Sequence, residues 1–124
     1  MFWRWGYFSF AEVFRANIVN TKEVTTEVLY NIEKTLDAVT CLRIDMGLPL
    51  VVNSFFRDSE HNKKVGGSKD SYHKKGMAVD VQIPKGYTHE QFLTHAKRYF
   101  NGIIFYPTWV HCDLREGIYF ADKR

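Results

Sequence analysis

Three side chains in this sequence have the types and spacing to hold a divalent cation. His73 and Asp80 lie seven positions apart in SYHKKGMAVDV, residues 71–81, and His111 stands in WVHCDL. GMAVDVQI alternates, so Ala78, Asp80 and Gln82 share one face of a strand and Met77, Val79, Val81 and Ile83 the other. In WVHCDL the same period puts Trp109, His111 and Asp113 on one face and Val110, Cys112 and Leu114 on the opposite one. Neighbouring strands of one sheet would bring Asp80 and His111 onto a common face, and His73, in the loop before its strand, could fold back over it. Small Gly76 and Ala78 would leave room for an ion and for an incoming backbone. Two imidazoles and one carboxylate suit a single zinc ion in a catalytic arrangement, with three protein ligands and a water in the fourth position. The ion would bring the pKa of that water to roughly 7. The carboxylate that interrupts the apolar run is then paired with a dication. A lone histidine is more often structural than a ligand, so the weight rests on the set; His89 and His95 read as solvated, and His61 as either a cleft or a helix-surface residue.

The elements that must position these residues are legible in the same chain. Ser9 followed three residues later by Glu12 is a capping-box pattern that opens a short helix from Phe10 to Arg15. Polar residues from Asn20 to Lys22 separate it from a longer helix over about 25–46. That helix carries a stripe of Val28, Leu29, Ile32, Leu36, Val39 and Leu42, with Gly47 as its stop. LPLVVNSFF, residues 48–56, is β-branched and aromatic and reads as a strand with Pro49 at its start. The polar RDSEHNKKVGGSKDS after it is a long loop with room for one helical turn, and loops of that length in small domains tend to be functional or disordered. Thr88 with Gln91 is a second capping box, ahead of a helix striped by Phe92, Ala96 and Tyr99 or Phe100. GIIFYP, WVHCDL and GIYFA are three short strands separated at Pro107-Thr108 and from Arg115 to Gly117. This order predicts one α+β domain over residues 1–124, with a mainly antiparallel sheet flanked by helices.

Composition narrows the classes of function. The chain has 124 residues, 45% hydrophobic and 25% charged, which is ordinary for a globular protein long enough to build a core. No stretch approaches 18 uncharged apolar residues, so no membrane insertion is expected. The opening MFWRWGYFSF has neither an aliphatic run nor a small-residue cleavage site; it does not read as a secretory signal, and synthesis in the cytoplasm is expected. Trp3, Trp5 and Phe8 within it read as packing residues. From Arg57 to Lys75 six basic residues stand against three acidic ones. That segment is either a solvated loop or a rim that attracts an anionic substrate. Without a basic helix or a nucleic-acid motif beside it, nucleic acid is not an expected partner. Cys41, in a helix, and Cys112, in a strand, read as buried free thiols of a reducing compartment, and no CxxC or CxxxC offers a thiolate zinc site. The chain is expected to act as a monomer.

SYHKKGMAVD fits Ser-x-His-x-x-Gly-x-Ala-x-Asp, and WVHCD fits Trp/Phe-Val-His-x-Asp. Together they resemble the zinc D-alanyl-D-alanine carboxypeptidase family, which shares its fold with the hedgehog signalling domain. YFSFAEV is similar to the Phe-x-x-x-Glu opening of a branch of small peptidoglycan peptidases found in phages and bacteria. NSFFRDSEHNKKVGGSKDSYH is similar to that branch's Asn-Ser-Gly-Tyr-Arg-Ser-x-x-x-Asn loop, so the resemblance runs from Phe8 to Leu114. It implies a hedgehog-like or DD-peptidase-like fold and a zinc metallopeptidase that hydrolyses peptide bonds in peptidoglycan stem peptides or cross-links. Such an enzyme would work as a carboxypeptidase or an endopeptidase in cell-wall lysis or remodelling. By position the resemblance makes His73, Asp80 and His111 the zinc ligands. Arg57 becomes the cation that polarises the scissile carbonyl or holds a substrate carboxylate, and Ser71 binds substrate or orients the site. Tyr106 is a candidate oxyanion donor or a packing residue.

Two positions depart from the family pattern. Many relatives carry Glu or Asp three residues before the last His, where this chain has Thr108. Asp113 is the nearest replacement as general base, and it could equally fix the His111 tautomer; Glu60 and His61 come next. Phe55-Phe56 stands where Gly-Tyr is usual and is expected to alter the pocket wall. The missing acid keeps open an alternative, a non-catalytic zinc-containing module of the same fold that binds the wall or a protein. Reaching the wall without a signal would take another route, such as a phage endolysin released through a holin or an enzyme carried on the virion.

Overall fold

The computed structural model describes residues 7–14 and 21–124; Trp3, Trp5, Arg15 and Asn20 lie outside them. Ser9 Oγ accepts from the Glu12 N–H at 3.1 Å and Glu12 Oε1 from the Ser9 N–H at 2.8 Å, which closes the box that starts α1 (Phe10–Phe14). α2 (Thr26–Met46) begins where Thr25 Oγ1 accepts from the Val28 N–H, and it ends at Gly47, whose φ of 73° suits glycine. Ile32, Leu36, Val39 and Leu42 form its buried stripe, each at most 1% exposed. Burying an aliphatic side chain of this size stabilises the fold by about 1.5–3 kcal/mol. Then come β1 (Val52–Ser54), α3 (Ser59–Lys64), a 3-10 turn (Tyr72–Lys75), β2 (Ala78–Gln82) and α4 (His89–Ala96), the last opened by the complete Thr88–Gln91 capping box. β3 (Gly102–Phe105), β4 (Trp109–Asp113) and β5 (Tyr119–Asp122) close the chain.

The strands form one five-stranded sheet in the order β1-β2-β4-β3-β5. β1 with β2, β2 with β4 and β3 with β4 are antiparallel, whereas β3 and β5 run parallel. The sheet is therefore mixed, which corrects the expectation of a mainly antiparallel one. The reason is steric. Both edges of β4 are occupied, so the chain leaving it cannot fold back onto it as a hairpin. It reverses through Gly117 (φ 74°) and passes the start of β3, where the Tyr119 N–H donates to Asn101 O at 2.9 Å. A strand antiparallel to β4 that adds to the free edge of β3 must run parallel to β3.

One face of the sheet packs against the helices. Val79, Val81, Val110 and Cys112 join Ile32, Leu36, Phe92 and Ala96 in a common apolar core. Alternation puts Asp80, His111 and Asp113 on the other face. The strand expected over 48–56 pairs only over Val52–Ser54, where its register shifts; Leu50, Phe55 and Phe56 are buried in the core instead. Cys112 is buried as expected, but Cys41 is exposed. It falls outside the three- and four-residue spacing of the α2 stripe, so helical geometry turns it to solvent.

Candidate metal centre

Strand register lays the floor of the site. Asp80 on β2 lies directly opposite His111 on β4 and is also paired with Ser54 on β1; His111 in turn lies opposite Ile104 on β3. His73 arrives from the 3-10 turn, which is pinned from several sides. Ser71 Oγ accepts from the His73 N–H at 3.2 Å, and the Arg57 N–H donates to His73 O at 3.1 Å. Behind the turn, α2 contributes two polar side chains: Asn31 Nδ2 donates to Lys75 O at 3.0 Å and Thr35 Oγ1 to Gly76 O at 2.9 Å. Gly76 has φ 74°, and a Cβ there would collide with Ile32 Cγ1 and Val28 O. Its smallness admits the backbone of α2, which answers the incoming backbone expected there, and its missing side chain would point away from the ion that was expected beside it.

The tautomer of His73 follows from its partners. His73 Nδ1 lies 2.6 Å from Phe55 O. A carbonyl only accepts, so Nδ1 carries the proton, and Nε2 faces Asp80 Oδ1 at 3.1 Å. His111 Nε2 lies 2.7 Å from Asp113 Oδ2, and its Nδ1 2.9 Å from Asp80 Oδ1. With both imidazoles neutral, two ring lone pairs would confront carboxylates in a buried place: that of His73 Nε2 faces Asp80, and that of the unprotonated His111 nitrogen faces Asp80 or Asp113. That arrangement is repulsive unless each ring carries a second proton or a cation lies among them. His73 Nε2, Asp80 Oδ1 and His111 Nδ1 belong to a cluster whose ligand atoms all lie within 4.8 Å of one another. Two imidazoles and a carboxylate, each with its geometry fixed from behind, fit a zinc ion that keeps an open position.

The protein's own charges are balanced to match. Burial opposes ionisation of Asp80, but the neighbouring His73 and His111 outweigh it and hold the carboxyl well below the usual range. Burial likewise opposes a charge on His111, and its bonds to Asp113 and Asp80 push it up overall. Asp113 is fully buried, yet its bonds to Arg115 and His111 keep it ionised far below the ordinary value.

A cleft of about 670 Å³ opens over this floor and brings together Arg57, Ser71, His73, Asp80, Tyr106 and His111. Arg57 is anchored by Ser54 Oγ at 3.0 Å, Asn62 Oδ1 at 3.4 Å and Asp80 Oδ2 at 3.4 Å. Burial lowers its pKa, offset only in part by Asp80 and Tyr106. Tyr106 stacks on Trp109 with ring centroids 4.7 Å apart. Asp113 is not among the residues lining the cleft. It sits behind His111, on the ring nitrogen that does not face Asp80, with both oxygens also bonded by Arg115.

Other sequence expectations fare differently. Phe55 and Phe56 are buried in the core, so their side chains do not form the pocket wall, and Phe55 serves the site through its carbonyl. Glu60 is paired with Lys64 at 3.7 Å on the surface of α3, and neither it nor His61 lines the cleft. His89 and His95 are half-buried and partnered, His89 Nε2 with Tyr106 O at 2.6 Å and His95 Nδ1 with Asp45 Oδ2 at 3.1 Å, which corrects the solvated reading. Asn31, Thr35, Gly102 and Arg115 went unnoticed. Arg115 at least had a signal, since it continues the alternation of His111 and Asp113.

The family model for Peptidase M15 matches residues 6–113, and the chain belongs to that family. No curated protein matches it. Membership supports a peptidase acting on a peptide substrate, and all three candidate ligands fall within the matched span. Among the described residues no helix is long and apolar enough to cross a membrane.

Proposed function

We propose that this chain is a zinc metallopeptidase of hedgehog-like fold, a single monomeric domain that hydrolyses peptide bonds in peptidoglycan stem peptides or cross-links. The observation that carries this reading is the convergence of His73 Nε2, Asp80 Oδ1 and His111 Nδ1 on the floor of an open cleft, with the remaining nitrogen of each ring already engaged. Zinc held by these groups would supply a Lewis acid that polarises a carbonyl and makes hydroxide available near neutral pH. The rest falls to the chain's own residues. Arg57, fixed by three acceptors, presents a rigid guanidinium to the scissile carbonyl or a substrate carboxylate. Ser71 holds the His73 turn by its Oγ and lines the cleft, and Tyr106 offers a phenol on the cleft wall.

Asp113 is better placed to orient His111 than to take a proton from water, because its oxygens are buried and spoken for. Besides Asp80, Asp70 is the carboxylate among the described residues that lines the cleft. The lack of an acid at Thr108 favours one second reading, a zinc-containing binding module without turnover. Zinc-loaded protein should clear a purified cell-wall suspension and lose that ability to a chelator. Mass spectrometry of fragments released from defined muropeptides would then identify the bond. Stoichiometric zinc with no fragment released would favour the binding module.

A further inference from the structure

We infer that Arg115 is a positioning residue for the metal centre: acting through Asp113, it holds the His111 ring with Nδ1 toward Asp80. The inference rests on the zinc reading above and assigns a part to a residue outside the ligand set. Arg115 delivers three donors to one carboxylate: Nε to Asp113 Oδ1 at 2.8 Å, Nη2 to Oδ2 at 2.6 Å and its backbone N–H to Oδ1 at 3.1 Å. Oδ2 also accepts from His111 Nε2 at 2.7 Å. A carboxylate fixed by a fork cannot swing away, so the acceptor for Nε2–H is stationary, and a stationary acceptor selects both the tautomer and the rotation of the ring.

The guanidinium is itself immobilised. Its carbon lies 4.7 Å from the centroid of Tyr72 and 4.4 Å from that of Tyr119. Tyr72 precedes His73 in the 3-10 turn and Asp113 lies two residues from His111 on β4, so Arg115 joins the two parts of the molecule that must stay in register for His73 and His111 to meet. Tyr119, at the start of β5, covers it from the sheet edge. Room for the pair is built into β3. Gly102 lies opposite Asp113, and a Cβ on it would collide with Asp113 Oδ1 and Arg115 Nε. Stability alone is a weak reason for such a pair, because well-packed apolar residues often do as well in a buried position.

The test measures zinc affinity by chelator competition in wild type, Arg115→Met and Arg115→Lys, together with imidazole nitrogen NMR shifts of the zinc-loaded proteins. Arg115→Met should weaken zinc binding by about 10- to 100-fold, with Arg115→Lys in between because an ammonium cannot form the fork. The Nε2–H signal of His111 should lose its strong hydrogen bond, and turnover should recover in excess zinc. Gly102→Ala should shift zinc affinity in the same direction by displacing the pair. Equal or tighter zinc binding in folded Arg115→Met overturns the proposal, as does a loss of melting temperature in zinc-free protein with zinc affinity unchanged. If Arg115→Met fails to fold, unchanged affinity in Arg115→Lys overturns it equally. Wild type that binds no zinc overturns the metal reading and this inference together; zinc-binding wild type with indifferent Arg115 variants overturns this inference alone.

Discussion

The two faces of the same strands carry opposite chemistry. On β2 and β4, Val79, Val81, Val110 and Cys112 are buried against α2 and α4, while Asp80, His111 and Asp113 on the reverse face assemble charges. The helix face is packed mainly with apolar side chains, and volume is its chief requirement. The cleft face buries ionisable groups nearly as deeply, and it can do so because each meets a fixed counterpart at 2.6–3.4 Å. Alternation thus lets one strand act as core and as site. It also implies that substitutions on the two faces should fail in different ways, the helix face through stability and the cleft face through metal and turnover.

The largest effect should come from the cleft face. His73→Ala, Asp80→Ala and His111→Ala should each lower hydrolysis of cell-wall peptides by about a thousandfold or more, the several kcal/mol a metal contributes to such a reaction. Rates measured beside a melting curve would show the fold surviving. Next is the opposite face: Leu36→Ala, at a fully buried site, should cost about 2–5 kcal/mol of unfolding free energy and leave zinc affinity unchanged in the folded fraction. A denaturant titration alongside chelator competition would check both halves.

Arg57 sharpens the contrast within the cleft. Arg57→Lys keeps a charge and loses the fork, so activity should fall roughly tenfold or more with zinc content intact, as expected for a lost charge-assisted hydrogen bond. Full activity in that variant would show that the reaction needs no guanidinium fork at position 57. The smallest effect belongs to the pairing of α2 with α4. The hydrogen bond from His95, followed by that from Arg98, lowers the pKa of Asp45. A carboxyl with a depressed folded-state pKa adds stability above its unfolded value, about 4, and loses it as pH falls through the folded one. Wild type should therefore melt slightly above Asp45→Asn at pH 6, and the gap should close in strong acid.

What the sequence disclosed divides along similar lines. Asp80 and His111 were legible because a period of two assigns faces and the strands pair in the simplest register. The caps at Ser9, Thr88 and Gly47 were legible because they are local. His73 was identifiable by type and motif, but not the manner in which it is held: its Nδ1 meets a backbone carbonyl, and any residue at position 55 would supply one. At Gly76 the expected incoming backbone is that of α2, but the sequence could not say which segment it would be, since a small residue marks a close approach without saying what approaches. The parallel β5 escaped because it depends on which edges of the sheet are already taken. Asn31 and Thr35 looked like ordinary polar positions on a helix, and only the tertiary fold sets them against the turn.

His73, Asp80 and His111 are proposed to hold one zinc ion together. Metal content per chain, measured on purified wild type and on His73→Ala/His111→Ala, tests this most directly. Wild type should hold close to one zinc and the double variant almost none, with wild-type occupancy dropping in mild acid as the ligands take up protons. Near-stoichiometric zinc persisting in the double variant would contradict it.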